Sequence, residues 1–82
     1  MPYNKFYKEI AAIARKYRIP SRFLCRALIA LSGHRVGAIA QQLDMTHGDL
    51  WNHMVGYSIT PQKRERIAGY FGLEESELFY DD

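Results

Sequence analysis

The stretch "AIAQQLDMTHGDLWNHMVG", residues 38–56, decides the fold, because it joins two short helical patterns through a turn. The first pattern, over residues 35–43, is amphipathic. Thr46 precedes Asp49 by three residues, which is the spacing of a capping box, so a second helix is predicted to begin directly after Thr46. Gly56 is expected to end that second helix.

The residues around the turn fit a close crossing of the two helices. Ala40 is small, and a larger side chain there would push the helices apart. Asp44 falls where the backbone is expected to be left-handed, a conformation that glycine adopts easily and that aspartate tolerates. Leu43, Met45 and Leu50 are expected to close the inner side of the turn.

Helical periodicity extends along the rest of the chain, with no β-type alternation. Further helices are predicted over residues 3–17, 22–32 and 60–71, followed by a single turn in residues 74–80. The predicted apolar stripes are Phe6, Ile10, Ile13, Ala14 and Tyr17 in the first helix, and Phe23, Leu24, Ala27, Leu28 and Leu31 in the second. The predicted helix starts are Ser21 and Thr60 as N-caps, with Pro61 in the first turn, and the predicted stops are Gly33 and Gly72.

Length and composition indicate one small domain. The chain has 82 residues, of which 48% are hydrophobic. This is enough for a hydrophobic core that needs no disulfide bond or metal site to stabilise it. The single cysteine, Cys25, cannot form an internal disulfide, which is typical of a reducing compartment. No apolar run approaches the roughly 18 residues of a membrane span, and no signal peptide is apparent. We therefore expect a cytoplasmic protein with no membrane association.

Catalytic and metal-binding patterns are not apparent in the sequence. No paired carboxylates, Ser/His or Cys/His spacing or phosphate-binding glycine loop stands out. The cysteine and the histidines lack the spacing of metal ligands. The expectation is a protein that is not an enzyme, with no metal, no cofactor and no small-molecule ligand.

The charge is distributed unevenly, although the net charge is only +2. The first 35 residues contain eight basic residues and one acid, Glu9. Lys63, Arg64 and Arg66 form a second basic cluster, and the tail "EESELFYDD" is acidic. Such a chain can present one positive face to a nucleic acid.

Taken in order, these features resemble the λ-repressor-like (Cro/C1-type) helix-turn-helix domain over residues 22–79. The resemblance is carried by the helix pair of residues 38–56, by "YSITP" at 57–61 and by "RIAGYFGLEESELF" at 66–79. It implies an all-α, five-helix domain over residues 20–82. The departures from the family pattern are Asp44 for glycine, Val36 for glutamine and His53 for an aliphatic residue, and residues 1–19 form an extra N-terminal helix, expected to pack on the core.

The resemblance implies a sequence-specific DNA-binding transcriptional regulator of the phage or bacterial repressor type. The helix of residues 47–55 would enter the major groove of a double-stranded, palindromic operator. A homodimer is expected, through the N-terminal helix or the C-terminal tail. The implied base contacts are Thr46, His47, Gly48, Trp51 and Asn52, and the implied phosphate contacts are Arg35, Ser58, Lys63 and Arg64.

Other interpretations of the same residues stay open. The fold could serve as a protein-interaction module, an antitoxin or a coactivator-like adaptor, which the weak net charge, Val36 and Asp49 favour. Trp51 could lie in the core or at an interface instead of in the groove. The basic face of residues 5–18 could be an ordinary solvated helix surface.

Overall fold

A computed structural model describes residues 5–54 and 60–81 of the chain. Within these two ranges the protein forms six helices and no strand: α1 (Lys5–Lys16), α2 (Ser21–Ser32), α3 (Val36–Gln42), α4 (His47–Met54), α5 (Pro61–Tyr70) and α6 (Glu75–Leu78). The predicted all-α class is confirmed, with every helix close to its predicted position. The expected stop at Gly56 and the expected phosphate contact Ser58 lie outside the described residues.

One buried cluster joins all six helices. Phe71 is fully buried at the end of α5. The ring of Tyr7 meets it edge-on with the centroids 5.3 Å apart, and that of Tyr70 does so at 5.1 Å. Because Tyr7 belongs to α1, the first helix contributes to the same core as the helices that follow it.

The predicted apolar stripes of the first two helices were partly wrong, because each helix turns a neighbouring face inward. The side chains of Tyr7, Ala11 and Ala14 are buried on α1, and those of Leu24, Cys25, Leu28 and Ile29 on α2. Alanine on the inner face lets the α1 backbone approach its neighbours closely, and Tyr7 gains the contact with Phe71. The predicted side chains left exposed are Phe6 and Ile13 on α1, Tyr17 directly after it, and Phe23, Ala27 and Leu31 on α2.

The turn after α3 has the predicted left-handed residue. Asp44 has φ 54°, and two backbone bonds close the helix end around it. The Met45 N–H donates to the Ala40 carbonyl at 3.0 Å, and the Asp44 N–H donates to the Gln41 carbonyl at 3.3 Å. This is a Schellman ending with aspartate at the position usually held by glycine.

Helix α1 ends in the same way, which was not predicted. Arg18 has φ 57°, and the Ile19 N–H donates to the Ala14 carbonyl at 2.9 Å. The predicted stops at Gly33 (φ 76°) and Gly72 (φ 70°) are confirmed. The Thr60 hydroxyl accepts from the Lys63 N–H at 3.3 Å, which confirms the predicted cap of α5.

The prediction that Ser21 caps α2 was wrong. Pro20 is the N-cap residue, and Ser21 is already the first residue of the helix. The Ser21 N–H donates to a carboxylate oxygen of Asp81 at 2.8 Å, and the Tyr80 hydroxyl donates to the Ile19 carbonyl. The end of the described chain thus satisfies backbone groups at the α1–α2 connection, a role that no local pattern in the sequence indicates.

The C-terminal tail was also expected as a possible dimer contact. Its apolar side chains Leu78 and Phe79 are 0% and 5% exposed within the single chain. They fill the protein's own core and are not presented to a second copy. Among the described helices none is long and apolar enough to cross a membrane alone, and only α2 and α3 pass that test as a pair, with a 94° bend between them.

Candidate functional site

The candidate site is built on α3, the turn of residues 43–46 and α4. Leu50 is fully buried and fixes α4 to the core, while Leu43 and Met45 are half-buried against the same cluster. These three residues therefore take the inner side of the turn, as predicted. Helix α4 packs against α3 and α2, so its opposite side faces solvent.

A reciprocal pair of hydrogen bonds fixes the start of α4. The Asp49 N–H donates to the Thr46 hydroxyl at 3.1 Å, and the Thr46 N–H approaches a carboxylate oxygen of Asp49 at 3.4 Å. This is the predicted capping box. It satisfies two backbone donors at a helix end that would otherwise need water.

We use the term α4 surface for Thr46, His47, Gly48, Trp51 and Asn52, which the structure places together on the exposed side of α4. Trp51 is 46% exposed, so the interpretation of this residue as core is wrong. Its ring stacks on that of His47, with centroids 6.2 Å apart and an interplanar angle of 16°. The α4 surface therefore combines a flat aromatic pair with the amide of Asn52.

The His47 ring also lies beside the start of α3. A Cβ built on Gly37 would lie 3.6 Å from Cδ2 of His47, which is an ordinary van der Waals contact. This position restricts the imidazole between α3 and Trp51. A side chain held in this way loses little rotamer freedom when a ligand binds.

Gly48 is not required by the fold. A Cβ at this position would meet only the Thr46 hydroxyl, at 3.8 Å, and Gly48 is not among the described residues with positive φ. Glycine inside a helix costs roughly 1 kcal/mol relative to alanine, and part of that cost applies in the first turn. The packing within the chain does not offset it, which fits a site where another molecule approaches the backbone.

Lys63 lies next to Asp49, at the start of α5. Its Nζ is 3.0 Å from Oδ1 of Asp49. The hydrogen bond from Lys63, with smaller effects from Thr46, lowers the pKa of the Asp49 carboxyl below its ordinary value. The ion pair neutralises the acid that would otherwise face a phosphate backbone from this side of the protein.

The other expected phosphate contacts differ in their surroundings. Arg35 is the N-cap residue of α3 and is exposed, with no ion pair within residues 5–54 and 60–81. Arg64 is directed towards α6, where its Nε lies 3.5 Å from a carboxylate oxygen of Glu75 and its guanidinium lies 5.9 Å from the Phe79 ring centroid. Lys63 therefore lies beside α4 through Asp49, whereas Arg64 is engaged at α6.

A shallow groove beside the turn was missed in the sequence. It is lined by Gln41, Asp44, Met45, Thr46 and Asp49. Gln41 is exposed on α3. It lies one turn before Asp44, on the polar side of a short amphipathic helix, and this position could have indicated from the sequence that it lines the groove. Its amide adds a neutral hydrogen-bonding side chain to this groove.

Residues with nucleophilic or metal-binding potential do not converge here. Cys25 is 0% exposed, and burial raises the pKa of its thiol to about 12. Among the described residues no group of three His, Cys, Asp or Glu side chains could hold a metal ion. What the α4 surface offers is hydrogen bonding and aromatic stacking, and Lys63 adds a cation beside it at Asp49.

Comparison with known proteins gives this chain no relatives: no family model, no curated protein and no solved structure matches it.

Proposed function

We propose that this chain is a sequence-specific DNA-binding protein, a transcriptional regulator of helix-turn-helix type that binds the major groove with α4. The observation that carries the proposal is the α3–turn–α4 unit. It combines a left-handed Asp44, a capping box at Thr46 and the anchor Leu50, and the α4 surface projects on its outer side. Regulators of this architecture place the N-terminal residues of the second helix at base edges.

The side chains of the α4 surface suit contacts with base pairs. Asn52 can form two hydrogen bonds with adenine, and His47 can donate to the acceptors of guanine. Gly48 allows the helix start to approach the bases closely. The stacked ring of Trp51 presents an apolar face that suits the methyl group of thymine.

Two basic side chains at helix starts suit the phosphate backbone. Arg35 is the N-cap residue of α3, and Lys63 lies in the first turn of α5. The pairing of Lys63 with Asp49 brings this cation to the edge of the α4 surface. In this arrangement the chain acts by occupying an operator, with two copies on adjacent half-sites.

A protein-interaction module is the second candidate function. The exposed Trp51 favours it, because aromatic side chains are enriched at protein interfaces. The net charge of +2 is also small for a DNA-binding domain. The two functions make opposite predictions about salt, since only binding to phosphates weakens steeply as salt rises.

Selection of bound sequences from a random DNA pool tests the proposal directly. We expect one enriched sequence with two half-sites separated by roughly one helical turn, or about 10 base pairs. Affinity for that sequence, measured by fluorescence anisotropy, should fall steeply with added salt. A pool with no enriched sequence, together with binding that salt leaves unchanged, would refute DNA binding and favour the interaction module.

Two substitutions separate base contacts from phosphate contacts. Asn52→Ala should cost about 1–3 kcal/mol on the selected site and relax the preference at one base pair. Arg35→Ala should weaken binding to all sequences alike and reduce the salt slope by about one. Arg26→Ala, on the exposed side of α2, is the matched control and should leave affinity almost unchanged. Equal losses for Arg35→Ala and Arg26→Ala would contradict the assigned orientation.

A further inference from the structure

Large apolar side chains are exposed mainly on the first two helices. Within residues 5–54 and 60–81, seven large hydrophobic side chains are exposed, and Trp51 is the only one outside α1, α2 and their connection. The other six are 40% to 67% exposed, and we call them the α1–α2 surface: Phe6, Ile13, Tyr17, Ile19, Phe23 and Leu31. Concentrations of exposed apolar groups of this kind mark interaction sites on soluble proteins.

The apolar side chains follow lines along the two helices. Phe6 and Ile13 lie on one face of α1, and Tyr17, directly after its last residue, continues that line, which is roughly 17 Å long at 1.5 Å per residue. Phe23 and Leu31 lie eight positions apart on α2, about 12 Å along the helix axis. The inner faces of both helices are buried in the core. The exposed side chains therefore cannot become buried in the same core unless the protein unfolds.

The same part of the chain is strongly basic. Residues 1–35 contain eight basic residues and one acid, whereas the remainder contains three basic residues and eight acids. The Arg22 and Arg26 guanidinium groups lie 4.8 Å and 5.7 Å from the Phe23 ring centroid, and Lys16 Nζ lies 5.6 Å from that of Tyr17. Cations therefore stand directly beside the exposed aromatic rings.

We propose that the α1–α2 surface binds an acidic amphipathic helix of another protein. The apolar face of such a helix would lie along the line of Phe6, Ile13 and Tyr17, and its carboxylates would reach Lys16, Arg22 and Arg26. Helices that dock in this manner use apolar anchors at spacings of three, four and seven residues. Complementary charge would select an acidic partner over a basic one.

A second copy of this chain fits the surface poorly. Two such surfaces would bring like charges together, which disfavours the dimer expected through the N-terminal helix. The chain's own acidic segment is already engaged. Glu77 pairs with Lys8 at 3.6 Å, Glu75 pairs with Arg64 at 3.5 Å, and Asp81 accepts from the Ser21 N–H.

A lipid membrane is also a poorer fit than a helix. Helices that lie in a membrane interface immerse a wide apolar face among the lipids. On α1 a large part of the apolar face, including Tyr7, Ala11 and Ala14, is buried in the core. The single line of side chains that remains suits a helix–helix contact.

The proposal does not depend on DNA binding. Helix α1 packs on α2 and α6, whereas α4 packs on α3 and α2. The α1–α2 surface and the α4 surface therefore belong to different helices, and loss of one activity need not affect the other.

A designed peptide provides the test. We would label a helix of about 18 residues, or about five turns, with leucine on one face and glutamate on the other. Binding to the full chain would be followed by fluorescence anisotropy. A scrambled peptide of the same composition keeps the charge and loses the apolar face, and a peptide with lysine for glutamate keeps the face and reverses the charge. We expect the designed peptide to bind at least about tenfold more tightly than either control.

Substitutions locate the peptide on the protein. Ile13→Ser with Tyr17→Ser, and separately Arg22→Glu with Arg26→Glu, should each weaken binding about tenfold or more. Trp51→Ser is the matched control, since it removes an exposed aromatic side chain from α4, and it should leave peptide binding unchanged. Circular dichroism melting checks that each variant remains folded, and Tyr17→Ser alone is the milder replacement if the double variant unfolds.

Four outcomes would overturn the proposal. The scrambled peptide could bind as well as the designed one, or Trp51→Ser could weaken binding as much as the α1 variant. Vesicles of phosphatidylglycerol could bind through Ile13 and Tyr17 while the peptide does not, which would make the surface a membrane contact. Sedimentation equilibrium could show a dimer that Ile13→Ser and Tyr17→Ser dissociate, which would make a second copy the occupant.

Discussion

Over residues 5–54 and 60–81, two residues other than glycine adopt left-handed backbone conformations, and they differ in how well they tolerate them. Asp44 has φ 54° and Arg18 has φ 57°. Aspartate visits this region comparatively often, because its short polar side chain bonds locally. Arginine has no such compensation, so the end of α1 is the more strained of the two.

The first prediction concerns this strain. Arg18→Gly should raise the free energy of unfolding relative to Arg18→Ala by about 1 kcal/mol, because only glycine removes the clash of a Cβ at positive φ. Relative to the original protein, Asp44→Gly should gain less stability than Arg18→Gly, because aspartate tolerates this backbone conformation better than arginine. Urea denaturation of the three variants and the original protein measures both differences. If glycine and alanine are equivalent at position 18, the strain assigned to Arg18 is absent.

The second prediction concerns the ion pair beside the α4 surface. The Lys63 ammonium lowers the pKa of the Asp49 carboxyl from its ordinary value of 3.8. Because the pKa of Asp49 is lower in the folded protein than in the unfolded chain, the ionised carboxylate stabilises the fold at pH values above the unfolded pKa. This stabilisation is lost as the pH falls through the pKa of the folded protein. Lys63→Met should therefore raise the Asp49 pKa in a carboxyl NMR titration. The difference in the free energy of unfolding between the original protein and the Lys63→Met variant should become smaller below about pH 4.

The carboxyl titration has an internal control. Thr46 also donates to Asp49 and remains in the Lys63→Met variant, so the pKa should rise only partly. A titration curve identical to that of the original protein would show that Asp49 and Lys63 do not interact in solution.

At the scale of elements, α4 is short and depends on its capped start and on Leu50, which is its one buried residue over the described side chains of residues 47–52. It has eight residues, fewer than an isolated helix needs to be stable in water. The capping box at Thr46 fixes its start, and the buried Leu50 fixes its inner face. The orientation of the whole α4 surface therefore depends on a few local contacts.

The third prediction follows from the capping box. Thr46→Ala should lower the free energy of unfolding by about 1 kcal/mol, whereas Thr46→Ser should lose much less, because serine keeps the hydroxyl that accepts from Asp49. Thermal or urea denaturation measures both effects. Equal losses for alanine and serine would indicate that the methyl group of Thr46, and not its cap, is what stabilises the protein.

Elements whose cause is local could be predicted from the sequence. The caps at Thr46 and Thr60, the stops at Gly33 and Gly72 and the turn at Asp44 each depend on residues within one helical turn. The buried face of α1 could not be predicted in this way, since its sequence contains two adjacent apolar lines. Contacts with later parts of the chain decide between them, among them the contact of Tyr7 with Phe71.

The features of the candidate site also differ in whether their cause is local or lies in a distant part of the chain. The exposure of His47, Gly48 and Asn52 follows from helix periodicity once Leu50 is placed inside. The pairing of Lys63 with Asp49 and the turning of Arg64 towards Glu75 depend on how α5 packs. Side-chain partners from different helices carry no periodic signal, so the ion pairs of Lys63 and Arg64 were less predictable than the exposure of the α4 side chains.

At the scale of the molecule, the last described residues hold the first two helices together. The Tyr80 hydroxyl bonds to the Ile19 carbonyl, and Asp81 accepts from the Ser21 N–H. Beside these bonds, Leu78 and Phe79 are buried in the common core. The α1–α2 connection is thus completed by a segment about 60 residues later in the chain.

The fourth prediction tests this connection. Tyr80→Phe keeps the ring and removes the hydroxyl, so the free energy of unfolding should fall by about 0.5–1.5 kcal/mol, the net value of one hydrogen bond. Tyr17→Phe is the control, because Tyr17 is 67% exposed, and it should change stability very little. Urea denaturation compares the two. If Tyr80→Phe is as stable as the control, the bond to Ile19 does not contribute.

The long separation between Ser21 and Asp81 has a consequence for synthesis on the ribosome. At about 5–20 residues per second, several seconds pass between the emergence of the α1–α2 connection and that of its partners. During this interval the Ser21 N–H lacks its acceptor Asp81. The inner faces of both helices also lack part of their native packing. The nascent chain therefore reaches its native state only after residue 81 has been added, and until then its first helices are open to chaperones.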